Sequence, residues 1–311
     1  MILSDYIWQR LTDKKKQLDR LRPLPASVIN QLQKRFLVEW TYHSNAIEGN
    51  SLTLKETQMV LENGLTIKGK PLKDHLEATN HQDAILLLEK FVAKKKPLNL
   101  NLILNLHKMI LKSIEDENAG RLRRVDVAIT GSSHQCPQFE KVPGLMKQFS
   151  DWLKITRINP VDKAARAHFK LVDIHPFVDG NGRTARLLMN LILMRSGFPP
   201  AVILKADRQK YYRLLENSHF GEIKPFVNFV GQATERSLNI YLEMAQPKKP
   251  QQAEITRFKK LSEIAPQTPY SAEYLSLLAR QGLISAHKVS RHWLTNLEAI
   301  KNYQRSLEKK R

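Results

Sequence analysis

A single cysteine, Cys136, stands among the 311 residues. No intrachain disulfide can form, and a chain so poor in thiols fits a reducing compartment such as the cytoplasm. Long apolar runs are missing as well. The most apolar stretch, residues 187–194, is short and interrupted by Asn190, so no membrane span and no membrane partner are expected. The first ten residues, MILSDYIWQR, carry Asp5 and lack a clean apolar centre, so no secretory signal is expected. Acid is scarce relative to base: 30 Asp and Glu against 50 Lys and Arg leave a formal net charge of +20. Such a surface draws nucleic acid, nucleotides, acidic proteins or anionic membrane, although a general basic bias gives the same balance. No internal repeat appears at solenoid periods.

What remains is ordinary for a globular chain, with 42% apolar and 26% charged residues and enough length for a full core plus a small second domain. Most of it reads as helix. Val28, Leu32, Phe36 and Trp40 keep one face of a helix from about Ala26 toward Ile47. Thr53 and Glu56 form a capping box for the next helix, which Asn63 and Gly64 end. Helical patterns follow at 74–95, 100–114, 142–155, 161–172, 183–196, 207–217 and 223–242. Residues 124–130 break the pattern, with Val125, Val127 and Ile129 alternating before a glycine-serine turn, and predict a strand that enters a β-hairpin.

The chemistry-bearing stretch is Ile174-His175-Pro176-Phe177-Val178-Asp179-Gly180-Asn181-Gly182-Arg183-Thr184-Ala185-Arg186. A helix should end before Pro176, because the residue ahead of proline disfavours helix. A glycine-punctuated turn then feeds a second helix from about Gly182. Such a turn presents backbone N–H groups to an anion, and the helix dipole adds to the attraction. Arg183 and Arg186, three apart, can both reach a polyphosphate. Asp179 is a hard oxygen ligand of the kind Mg²⁺ uses beside phosphates, and His175 titrates near neutral pH. Base, metal ligand, anion turn and paired arginines suit attack on a nucleotide phosphate.

This stretch resembles the Fic-family signature His-Pro-Phe-x-(Asp/Glu)-Gly-Asn-Gly-Arg-x-x-Arg and meets it at every specified position. The resemblance implies an all-α fold, a Fic helical core carrying a small β-hairpin flap, and an enzyme that moves AMP from ATP onto a Ser, Thr or Tyr hydroxyl of a protein target. It makes His175 the base and Asp179 the Mg²⁺ ligand. Gly180, Asn181 and Gly182 would line the anion hole, Arg183 and Arg186 would take the outer phosphates, and Thr184 and Ala185 would belong to the nucleotide-binding stretch. Phe177 reads as a core plug. Relatives that transfer phosphate carry lysine at the position of Gly182, so the glycine favours AMP transfer. By the same analogy Ile129, Thr130, Gly131 and Ser132 of the flap lie along nucleotide and target. Tyr211 or Tyr212 flanks the adenine, unless the pair serves helix packing. His219 aligns where related proteins often place an asparagine that contacts the nucleotide.

Glu48 sits in the last turn of its helix, just before Gly49, where the helix dipole disfavours an acid by roughly 0.3–1 kcal/mol. Either it is an exposed residue tolerating that cost or it has a partner. Residues Ser44 to Gly49 resemble the Fic inhibitory motif (Ser/Thr)-x-x-x-Glu-(Gly/Asn) of the class with an N-terminal inhibitory helix. This resemblance pairs Glu48 with Arg186, set against the ATP γ-phosphate. In some relatives the same glutamate aligns a water that removes AMP.

Between Gln246 and Arg311 there are 13 Lys or Arg against 5 Asp or Glu. The expected organisation is a Fic domain over 1–245, a Pro-, Lys- and Gln-rich linker over 246–252, and a small basic domain over 253–311. In that last part a short helix at Leu261 to Ile264, a turn, a helix at 271–281 and a basic strand-turn-strand give a DNA-binding layout. Residues 270–303 resemble excisionase-like winged helix-turn-helix domains, which implies duplex DNA as a partner, against a protein-docking or purely structural tail. A nucleotide-sensing DNA-binding regulator is therefore the rival to the enzyme, although an intact His175 favours the enzyme. Oligomeric state is open, a homodimer included.

Overall fold

The computed structural model describes residues 1–155, 157–245 and 257–308, and the expected linker at 246–252 lies outside them. The described residues form two compact units, one from 1–2 and 33–227, the other from 3–32 and from 228 onward. The expected division was by contiguous sequence. In the structure the N-terminal segment instead groups with the C-terminal one.

The first unit is helical. It takes the C-terminal part of α2 (Ala26–Ile47), then α3 (Leu54–Asn63), α4 (Leu72–Ala93), α5 (Leu100–Leu111), α6 (Val142–Leu153), α7 (Pro160–Ile174), α8 (Asn181–Arg195), α9 (Arg208–His219) and the start of α10 (Ile223–Ala245). The capping box of α3 is complete, with Thr53 Oγ1 accepting from Glu56 N and Thr53 N donating to Glu56. Gly64 closes that helix in the left-handed conformation, φ 65°. Helix α8 is buried nearly all round, with Leu187, Leu188, Met189, Leu191 and Leu193 fully enclosed, as a helix at the centre of a core should be. It packs along α7, and the loop joining the two carries the signature.

One expectation fails in this unit. Among the described residues, 124–137 contain no paired strands, so the β-hairpin flap is not formed. The segment makes a single turn, Ser132 N donating to Ile129 O, with Gly131 at φ 79°. Its polar groups go to the helical body instead of across a ladder. Ser132 and Ser133 donate to Glu216, His134 Nε2 to the Asp173 carbonyl, and Arg123 to the Val125 and Pro137 carbonyls. Alternation at Val125, Val127 and Ile129 cannot make a strand when no partner edge is offered.

The second unit contains a helix that the sequence reading did not single out, α1 (Asp5–Arg20), capped by Ser4 and burying Ile7, Leu11 and Leu18. Their wide spacing among lysines and arginines hides the pattern. Gly231 of α10 permits that packing, since a Cβ there would stand 2.8 Å from Leu3 and 3.0 Å from Ile7. Buried Glu235 takes Arg10 at 2.9 Å and Lys14 at 2.7 Å. The tail adds β1 (Lys259–Lys260), α11 (Leu261–Ile264), α12 (Ala272–Gln281), β2 (Ala286–Val289), β3 (His292–Thr295) and α13 (Leu297–Glu308). All strand pairs are antiparallel, in the order β1-β3-β2. Ile264, Leu275, Leu278, Ile284 and Ile300 form the small core beneath them. No helix among the described residues is long and apolar enough to cross a membrane.

Candidate functional site

Helix α7 ends at Ile174, and His175 follows in the left-handed conformation at φ 48°, an arrangement uncommon for a side chain other than glycine or asparagine. The strained turn swings the imidazole out of the helix. His175 Nδ1 donates to the Val172 carbonyl at 3.3 Å, which leaves the lone pair on Nε2. Burial lowers the imidazole to about pKa 4, and the positive charge of Arg123 adds to that shift. At neutral pH His175 is therefore uncharged and able to accept a proton.

The loop after it is fixed by Arg123 and His107, which sequence reasoning had not assigned, and by the side chain of Asn181, which turns to the Phe177 backbone. Arg123 donates from Nε to the His175 carbonyl at 2.8 Å and from its backbone N to Pro176 O at 2.9 Å. Asn181 clamps the loop, accepting from Phe177 N at 3.0 Å and donating to Phe177 O at 2.9 Å. Phe177 is wholly buried, as expected, and lies parallel to the His107 ring at 3.7 Å. His107 accepts from Gly120 N on Nδ1, so its Nε2 carries the proton and donates to the Asp179 carbonyl, each at 2.9 Å. Gly180 approaches this ring with φ 77°, and a Cβ would stand 3.2 Å from it. Arg123 and His107 come from segments distant in sequence from the loop they hold.

Beyond Gly180 helix α8 begins. The backbone N–H groups of Asn181, Gly182 and Arg183 are the first three of the helix and have no intrahelical acceptor. Thr184 N already donates to Gly180 O at 2.9 Å. Thr184 and Ala185 are fully buried, so their side chains belong to the core rather than to an anion cradle. Arg183 donates to Glu77 at 3.0 Å and to Asp179 at 3.1 Å. Burial opposes ionisation of Asp179, but Arg183 and the Gly180 N–H hold its carboxyl below the usual range. It is ionised and half exposed, which fits a Mg²⁺ that shares its shell with phosphate oxygens.

Arg186 is buried and held on every side. Its Nε donates to Ser44 Oγ at 3.0 Å, its Nη2 to the Ser44 carbonyl at 2.8 Å and to Glu48 Oε1 at 2.7 Å, and its Nη1 to Tyr211 at 3.3 Å. Although burial opposes the charge, Glu48 raises the guanidinium above its ordinary range and keeps it protonated. The expected Glu48–Arg186 pair is thus present. An ideal Cβ on Gly182 would fall 2.4 Å from Glu48 Oε1, so that carboxylate lies directly over the first turn of α8. A glycine is needed at 182 to admit it.

The tyrosine pair divides. Tyr211 is 1% exposed and its hydroxyl bonds His168 and Arg186, so it braces the arginine and offers no wall to an adenine. Tyr212 is 37% exposed and reaches the Ile47 carbonyl and Glu48. Of the flap residues, Thr130 and Gly131 are exposed at the turn, while Ile129 and Ser132 are half-buried. His219 stacks on His134 at 3.7 Å and bonds Asp173.

Residues 97–193 match the Fic/DOC family. The protein adenylyltransferase Fic of Drosophila willistoni is 39% identical over 219 residues, which cover 70% of this chain and 44% of that protein. Among solved structures, Fic-1 (aa134–508) of C. elegans superposes with a TM-score of 0.69 at 34% identity, over 76% of this chain and 72% of that one. A Fic domain containing signaling protein from Bacteroides thetaiotaomicron gives a TM-score of 0.69 at 30% identity, over 79% of this chain and 100% of that one. The chain spans about half the length of the curated relatives it matches.

Proposed function

This chain belongs to the Fic/DOC family, and we propose that it transfers AMP from ATP to a protein hydroxyl and is restrained by Glu48. The observation that carries the reading is a neutral His175, with its Nε2 lone pair free, in the turn that opens into a helix N-terminus lined by Arg183 and Arg186. The name of the curated relatives, protein adenylyltransferase, supports it. The acceptor hydroxyl gives its proton to His175 Nε2 as its oxygen bonds the α-phosphorus. The bond between that phosphorus and the bridging oxygen breaks, and pyrophosphate leaves. Free N–H groups of α8 and the two arginines hold the phosphates in line with the attacking oxygen. Asp179 would hold Mg²⁺, whose charge neutralises the departing pyrophosphate when bound. With Tyr211 inside the core, Tyr212 is the residue left to flank an adenine.

Glu48 makes the resting site unreactive. Its carboxylate occupies the guanidinium of Arg186 and the space over Gly182, where an outer phosphate would go. The same carboxylate, displaced from Arg186, is placed to orient a water for removal of AMP from a modified target. Product analysis tests the reaction class: ATP turnover that releases pyrophosphate supports AMP transfer, whereas ADP as the product would overturn it.

A second reading concerns the tail. The hairpin of β2 and β3 exposes Arg291 and His292 at its tip, next to Lys288, and α12 exposes Arg280 after a turn from α11. These exposed cations support the reading of the tail as a winged helix-turn-helix for duplex DNA. Binding of the full chain to duplex DNA should weaken steeply with salt as counterions are released. Salt-independent binding, or none, would leave the tail a protein-docking or structural element.

A further inference from the structure

His134, Asp173 and His219 come from three separate segments, the loop after the 129–132 turn, the last turn of α7 and the end of α9, and they converge on one point. His219 Nδ1 lies 2.8 Å from Asp173 Oδ1, and His134 Nε2 lies 3.7 Å from the same oxygen. One ligand atom from each of the three falls within 4.8 Å of the others. The two imidazoles stack at 3.7 Å with planes 9° apart.

We propose that this cluster is a Zn²⁺ site. Two imidazole nitrogens and one carboxylate oxygen are the donor set of a three-ligand zinc centre with an open position. The side chains of His134 and His219 are 14% and 7% exposed, while that of Asp173 is 43% exposed. The cluster is therefore anchored within the protein and open to solvent on one side, which gives an ion its path in. At present the ring N–H groups point to Asp173: His219 Nδ1 donates to its carboxylate and His134 Nε2 to its carbonyl. On binding, the ring nitrogen that faces Asp173 gives its lone pair to the metal, and the ring carries its proton on the other nitrogen. The parallel rings splay so that the two lone pairs meet. The loop is already positioned for this, because Ser132 and Ser133 bond Glu216, one turn before His219 on α9. Zinc there ties the loop to the end of α7, two residues before His175. The proposal does not depend on AMP transfer.

The test uses the full chain, stripped with chelator and carrying no affinity tag, titrated with Zn²⁺ against a chromophoric competitor. One equivalent should bind, and X-ray absorption should report nitrogen and oxygen neighbours without sulfur. His134→Ala and His219→Ala should each weaken binding by at least ~10–100-fold, the loss that even an outer partner of a ligand can cause. If either alanine variant fails to fold, as judged by circular dichroism, His219→Gln keeps the volume and a bond to Asp173 while removing the ligand. Cys136→Ser should leave affinity unchanged. Absence of a stoichiometric site, retention of affinity in both histidine variants, or loss of it in Cys136→Ser would overturn the assignment.

Discussion

Replacing Glu48 by glycine should raise AMP transfer while lowering the stability of the fold. The carboxylate stands 2.7 Å from Arg186 Nη2, with the arginine side chain 3% and the glutamate side chain 30% exposed. Two unit charges at that distance attract by ~6 kcal/mol at an effective dielectric of about 20. Desolvation of the guanidinium offsets part of this, which leaves about 2–3 kcal/mol to be overcome before an outer phosphate can take Arg186. At ~1.4 kcal/mol per tenfold, removing the competitor should speed transfer by about 10²-fold. Ser44 and Tyr211 still bond Arg186 in the variant, so the buried cation is not orphaned. Loss of its counter-charge should cost about 1–2 kcal/mol of stability, discounted for the exposure of Glu48. Any removal of AMP should fall, because the group that places the water is gone. The assay is incorporation of α-labelled nucleotide into the chain and into added protein, with stability followed by chemical denaturation. Equal transfer by wild type and variant would refute the inhibitory role of Glu48.

Three further outcomes follow from the histidines. His175→Ala should lower transfer by ~10²–10⁴-fold with nucleotide affinity largely kept, and near-wild-type labelling would dismiss His175 as the base. Because burial lowers His175 to about pKa 4, kcat/KM should stay flat from roughly pH 6 to pH 8 and fall only on approach to that value. A decline centred near pH 6.5 would contradict the burial. Buried His81, His107 and His168 stay neutral in the fold, with pKa values of about 3, about 4 and well below the ordinary value. The unfolded chain takes up these protons first, so stability should fall as pH drops below about 6.5, by up to ~1.4 kcal/mol per pH unit for each histidine. Denaturation midpoints that do not move between about pH 7 and pH 5 would show that these side chains are hydrated.

Local signals carried the helices. The box at Thr53 and Glu56, the stop at Gly64 and the apolar face at Leu32, Phe36 and Trp40 act within a few residues, and the structure has α2 and α3 where they point. The signature loop was legible for the same reason, since its proline and two glycines, Pro176, Gly180 and Gly182, dictate its own turn. Partners from afar were not legible. Glu77 beside Arg183, His107 beneath Gly180 and Arg123 on the His175 carbonyl depend on packing that no short window encodes. The flap misled because alternation describes two faces, whereas a strand also needs an edge to pair with. Tyr211 and Tyr212 are adjacent in sequence, but helix geometry sends one into the core and the other to the surface. Thr184 and Ala185 sit inside the motif by spelling yet one turn too deep in α8 to meet an anion.

The most direct measurement of AMP transfer compares ATP labelled at the α-phosphate with ATP labelled at the γ-phosphate, each offered to the Glu48→Gly chain with and without His175. The account predicts protein-bound label from the α position only, lost when His175→Ala is added. Label from the γ position, or α-label that persists without His175, would contradict it.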